Sequence, residues 1–191
     1  MSQQELLRKV VGVLEASGMD YMLTGSMASS LQGEPRASHD LDLVVALTPV
    51  GVDALVQAFP APRYYLDRQS IESTLQSTGP HRQFNLLDVD EGDKVDFWLL
   101  SEEPFDQSRF SRKYTDEING LRVKISRPED TILMKLLWAQ MSGGSEKQFG
   151  DALSVYELQH AQLDLTYLER WARTLGVNPL WHQLKSRAKV V

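Results

Sequence analysis

The sequence predicts an α+β chain, a mixed β-sheet flanked by helices, with a C-terminal helical appendage. Three observations predict it. Helical and strand-like stretches alternate up to residue 125. Two hairpin signatures, the acidic turn Asp90-Glu91-Gly92-Asp93 and the pair Asn119-Gly120, sit between apolar runs. From Pro128 onward the periodicity is helical throughout. The expected division is a sheet-bearing domain over 1–125 and a helical region packed on it over 126–191.

Each element has a local cause. Leu6, Leu7, Val10, Val11 and Leu14 recur at helical spacing, and Gly18 stops that helix near Ser17. Residues 21–24 read as a short buried strand, Gly25-Ser26 as a tight turn and 27–31 as a short helix before the polar loop QGEPRASHD. A second strand is expected over 41–46. Thr48 followed by Pro49 is an N-cap and first-turn pair that opens a helix to about Phe59. A strand over 64–66 and a helix over 68–76 are expected next, then strands over 84–88 and 94–100 around the acidic turn. Asn119-Gly120 joins a further hairpin. Helices follow over 128–141, 146–158, 164–175 and 179–188, the first pair separated by Ser-Gly-Gly-Ser.

The 191 residues are 42% hydrophobic and 24% charged, which suits a folded chain with a sizeable core and excludes a disordered tail or a collagenous fibre. The polar N-terminal stretch and the lack of any run near about 18 apolar residues point to a cytoplasmic protein without a membrane partner. With no cysteine, any metal must be held by oxygen or imidazole. A formal charge of −6, from 26 acidic and 20 basic residues, argues against a protein that coats nucleic acid non-specifically. It leaves room for a small anion in a locally basic pocket.

The chemistry concentrates in acidic residues within apolar strands. Side chains alternate along a strand, so in Asp40-Leu41-Asp42-Leu43 the two carboxylates share one face. Like charges about 7 Å apart are unfavourable there unless a cation neutralises them, and Mg2+ suits carboxylate oxygens combined with phosphates. Asp96 interrupts the apolar run Lys94-Val95-Asp96-Phe97-Trp98-Leu99-Leu100, where an uncompensated charge would cost several kcal/mol. If its strand neighbours the first, three carboxylates converge as a two-metal phosphoryl-transfer set. Gly25-Ser26, where a strand turns into a helix, presents backbone N–H groups and a hydroxyl as a seat for an anion.

The strings LTGSMASSLQGEPRASHDLDLVV and KVDFWLL together resemble the nucleotidyltransferase superfamily, the DNA polymerase β-like or minimal nucleotidyltransferase fold, over roughly residues 21–100. The resemblance implies that Gly25 and Ser26 bind a nucleoside triphosphate. It implies that Asp40, Asp42 and Asp96 are catalytic residues holding two Mg2+ ions, for which Mn2+ can substitute, and that a nucleoside monophosphate such as that of ATP passes to an acceptor hydroxyl on RNA, protein or a small molecule. RPEDTILMKLLWAQ, SEKQFGDALSVYEL and LDLTYLERWARTLGV look like the helical tail of the bacterial abortive-infection type nucleotidyltransferase toxins. By that resemblance Lys135 approaches the triphosphate, with Lys147 and Asp151 as a second polar pair. Gln148, Phe149 and Gly150 intervene where those relatives often have Lys and Asp adjacent.

Plainer roles exist for several of these residues. Arg36 either guides the triphosphate or pairs with Glu34. Lys135, between Met134 and Leu136, either binds phosphate or runs along an apolar face to solvent. Asp151 can support the first turn of its own helix. His39 adjoins Asp40, but a lone histidine in a polar loop is usually only that, and His81, His160 and His182 show no zinc spacing. The four tryptophans read as packing residues. The alternative to an enzyme is a non-catalytic nucleotide-binding or partner-binding module of the same fold, such as half of a toxin–antitoxin-like pair with a protein partner. The intact set Ser26, Asp40, Asp42 and Asp96 favours catalysis.

Overall fold

The computed structural model describes residues 2–38, 40–79 and 82–190. In chain order the elements are α1 (Gln3–Ala16), β1 (Tyr21–Thr24), α2 (Gly25–Gln32), β2 (Asp40–Val45), α3 (Pro49–Ala58), β3 (Tyr64–Tyr65), α4 (Arg68–Gln76), β4 (Gln83–Asp88) and β5 (Lys94–Leu99). There follow α5 (Pro104–Arg112), β6 (Tyr114–Ile118), β7 (Leu121–Ile125), α6 (Pro128–Met141), α7 (Glu146–Gln159), α8 (Leu165–Thr174) and α9 (Asn178–Arg187). The chain divides into two compact units, Met1–Leu23 with Ser38–Ile125 and Thr24–Ala37 with Ser126–Val191. His39 and His81 lie outside the described residues.

The first unit is built on a seven-stranded mixed sheet in the order β3-β4-β5-β2-β1-β7-β6. β2 and β5 run parallel over six residues, β4 returns antiparallel beside β5, and β6–β7 is the Asn119-Gly120 hairpin. Both residues of that turn have positive φ, 48° and 74°, as a two-residue hairpin turn matching the sheet twist requires. Leu41, Leu43 and Val45 on β2 and Val95, Phe97 and Leu99 on β5 point to one face and are buried there. Phe97 stacks on Phe84 of β4 at 4.8 Å between ring centroids. Each such side chain contributes roughly 1.5–3 kcal/mol by leaving water, so the alternation fixes which residues occupy the other face. There Val44 packs with Met22, Phe110, Ala46, Trp98 and Leu100 as a small second core.

One local reading is corrected and one helix is added. Gly25-Ser26 is not a turn ahead of a helix over 27–31, because α2 begins at Gly25 itself. A φ of +66° at Gly25 lets the strand enter the helix with no linker. Helix α5, which the apolar pattern does not announce, is present over Pro104–Arg112 with proline in its first turn, and supplies the Phe110 of the second core.

The second unit is helical. α6 and α7 pack closely on each other through the Ser142-to-Ser145 connection, and α6 also contacts α2, α8 and α9. That central position explains why α6 has buried residues around most of its circumference. Two of its acidic side chains accept from α8 and its cap: the Tyr167 hydroxyl donates to Asp130 Oδ1 at 2.6 Å, and Glu129 accepts from the Asp164 backbone at 3.0 Å. Trp181, fully buried, meets Tyr156 edge-on. No helix among the described residues is long and apolar enough to cross a membrane.

Candidate active site

Strand register in the first unit sets the carboxylates on neighbouring strands and one face. Asp42 on β2 lies directly beside Asp96 on β5, and Asp40 lies beside Lys94. Registered neighbours in a parallel pair project to the same face and stand about 4.8 Å apart. All four side chains therefore share one patch, opposite the apolar face described above. Lys94 Nζ is 2.8 Å from Asp96 Oδ2 and 3.7 Å from Asp40 Oδ1. Asp96 and then the other two carboxylates hold the Lys94 ammonium above its ordinary pKa against the opposing effect of burial. The indole N–H of Trp98 donates to Asp42 Oδ1 at 3.3 Å. Asn85 on β4 is registered opposite Asp96 and, with its amide assigned so that the nitrogen faces the carboxylate, donates to Asp96 Oδ1 at 2.7 Å.

Sequence reasoning did not place Lys94, Asn85 or Trp98 here. Trp98 was expected to pack only, yet it also holds a carboxylate. The spacing of Lys94, two residues before Asp96, is the one signal that could have placed it on this face. A cavity of about 170 Å³ lined by Tyr65, Asp67, Ser70, Gln83, Phe84 and Asn85 adjoins the patch through Asn85.

The remaining site residues form a second cluster, wholly within the second unit. Arg36 grips Asp151 with two hydrogen bonds, Nε to Oδ1 at 2.8 Å and Nη2 to Oδ2 at 2.7 Å. Lys135 Nζ donates to Asp151 Oδ2 at 2.7 Å. Ser26 Oγ, in the first turn of α2, accepts from Arg36 Nη2 at 2.7 Å and from Lys135 Nζ at 3.4 Å. The hydroxyl thus keeps its own hydrogen to donate. Burial pushes Asp151 up, but Arg36 and Lys135 outweigh it and hold its carboxyl below the usual range. Two cations against one carboxylate leave the cluster with a charge of about +1 at the N-terminal end of a helix, an environment that attracts anions.

For Lys135 and Arg36 one of the two alternatives is excluded, and the pairing expected of Asp151 is corrected. Lys135 is 3% exposed and does not run out to solvent. Arg36 pairs with Asp151 rather than Glu34. Asp151 takes Arg36 and Lys135 as partners in place of Lys147, because α6 and α2 pack on the face of α7 that carries it.

No protein-family model matches the sequence, and no curated protein sequence matches it significantly. Solved structures do match. The solution structure of the antibiotic-resistance factor ANT(2'')-Ia superposes with a TM-score of 0.56 at 14% identity, covering 95% of this chain and 96% of that one. A crystal structure of ANT(2'')-Ia in complex with adenylyl-2''-tobramycin gives 0.52 at 15% identity, covering 98% and 99%. The fold is nucleotidyltransferase-like.

Mg2+ is the ion expected at these carboxylates from the sequence. The donors of the patch are carboxylate oxygens alone, the chemistry a hard divalent cation prefers. Among the described residues no three acidic or histidine side chains are gathered ready around a metal position, and Lys94 supplies the local positive charge. The donor set fits Mg2+ in kind, with an ammonium of the chain already inside it.

Proposed function

We propose that this protein is a Mg2+-dependent nucleotidyltransferase that moves a nucleoside monophosphate from a nucleoside triphosphate to an acceptor hydroxyl. The observation that carries this reading is the registered pairing of Asp42 with Asp96, with Asp40 on the same face. Such an array in a partly apolar sheet is unfavourable unless it serves a cation.

In this mechanism Asp40, Asp42 and Asp96 would hold the divalent ions, which would supply activation of the acceptor hydroxyl and neutralisation of phosphate charge. Asn85 and Trp98 orient Asp96 and Asp42 by donating to one oxygen of each. Within the second unit Ser26 would donate to a phosphate oxygen, with Gly25 and the N-terminal backbone of α2 beside it. Arg36 and Lys135 add positive charge, and Asp151 fixes their positions. Catalysis then rests on positioning and charge neutralisation, with no covalent intermediate required of the chain.

Charge is unevenly spread. The first unit has 18 acidic and 11 basic residues, the second 8 and 9. An acidic unit around the carboxylates repels a polyanion, which favours an uncharged or cationic acceptor over RNA.

Incubating the protein with each labelled triphosphate, Mg2+ and cell extract tests the reading. Label is expected to pass to an acceptor with release of pyrophosphate, and Asp42→Asn is expected to reduce transfer by a thousandfold or more while leaving circular dichroism unchanged. Wild-type rates in that variant would falsify the assignment. A specific observation, Lys94 seated among the carboxylates, favours a second reading as a non-catalytic nucleotide-binding module. Binding of a triphosphate without transfer, with or without extract, would select it.

A further inference from the structure

We infer that Lys94 is a tethered counter-cation of the carboxylate patch, which a divalent ion must displace from Asp96 in order to bind. The inference rests on the proposed metal-holding role of Asp40, Asp42 and Asp96 and goes beyond it.

Strand geometry puts Lys94 where an ion would stand. It is two residues before Asp96 on β5, hence on the same face, and is registered beside Asp40 of β2. Its ammonium touches Asp96 at 2.8 Å and stands 3.7 Å from Asp40. Asp96 is otherwise sheltered, with its side chain 12% exposed and its other oxygen accepting from Asn85. Both oxygens of Asp96 are therefore satisfied by the chain itself. Without Lys94, three carboxylates on neighbouring strands would repel one another. With it, one charge in three is offset.

Metal binding then becomes an exchange. A divalent ion taking an oxygen of Asp96 must release the Lys94 ammonium, which is repelled by the incoming charge and, being about one third exposed, can swing toward water. The displaced ammonium remains tethered nearby. The chain thus holds its carboxylates together without metal and keeps its affinity for the free ion low.

Titration with Mn2+, following free aqueous Mn2+ by electron paramagnetic resonance in the absence of nucleotide, tests this. Lys94→Gln is expected to bind at least tenfold tighter than the wild type. Lys94→Arg, which keeps the charge, should bind as weakly as the wild type, and Asp96→Asn should lose the tight binding when combined with Lys94→Gln. Lys94→Met serves as a second neutral variant should the glutamine variant fold poorly. Equal affinity in wild type and neutral variants, or weaker binding in the variants, overturns the counter-cation while leaving the metal-holding role intact. No Mn2+ binding by any of these proteins overturns both.

Discussion

At the scale of single residues, Asp151 shows how a carboxylate can organise cations. Its side chain and that of Lys135 are each less than a tenth exposed, and Arg36 is only about a quarter exposed. Removing the carboxylate leaves two positive groups facing each other away from bulk water. Arg36 can turn outward, but Lys135 cannot without unpacking α6. Asp151→Ala is therefore expected to destabilise the protein by about 3 kcal/mol, readable as a lowered urea midpoint, and to weaken triphosphate binding by releasing Arg36 from its place beside Ser26. A midpoint within experimental error of the wild type would show that the network is not structural. Ser26→Ala, by contrast, leaves the ion pairs in place.

At the scale of elements, junctions decide where functional groups point. α2 begins without a linker because Gly25 takes a left-handed φ of +66°. A Cβ there costs roughly 1–2 kcal/mol, and the chain can avoid the strain only by unwinding the first turn that carries Ser26. Gly25→Ala should thus lose nucleotide affinity by more than its loss of thermal stability accounts for. Calorimetric titration beside a melting curve separates the two, and an unchanged Kd would show that the first turn tolerates the Cβ. Elements with local causes were legible in the sequence: α3 from Thr48-Pro49, the β6–β7 hairpin from Asn119-Gly120, and α4 between its expected bounds. α5 was not, because PFDQSRFSR has few apolar residues at helical spacing, and its two phenylalanines gain their role only by packing onto the rest of its unit.

For the whole molecule, pH acts through carboxylates whose partners come from distant parts of the chain. Asp151 in the second unit is held below its ordinary value by Arg36 and Lys135 despite burial. Asp20 in the first is likewise lowered, against its own burial, by Lys113 at 2.8 Å and Lys124 at 2.7 Å. A lowered folded-state pKa means stability that is complete above the unfolded value near pH 4 and lost as pH falls through the folded one. The Tm is expected to hold its level with respect to these groups down to about pH 4.5 and to drop below it. In Asp151→Asn that acid drop should be smaller. An identical acid profile in the variant would remove Asp151 from the explanation.

The sequence by itself determined the fold class, most of the helices and strands, and the alternation that sets Asp40 and Asp42 on one face, because these depend on neighbours a few residues apart. Tertiary structure alone decided that Asp42 stands beside Asp96, that Lys94 reaches into the carboxylates, and that Asp151 gathers Arg36 and Lys135. Each of those pairings except the Lys94–Asp96 contact joins segments separated by 16 to 115 positions. Their geometry is fixed by sheet register and helix packing, which arise from the burial of apolar faces over the whole unit and leave no local mark in the order of residues.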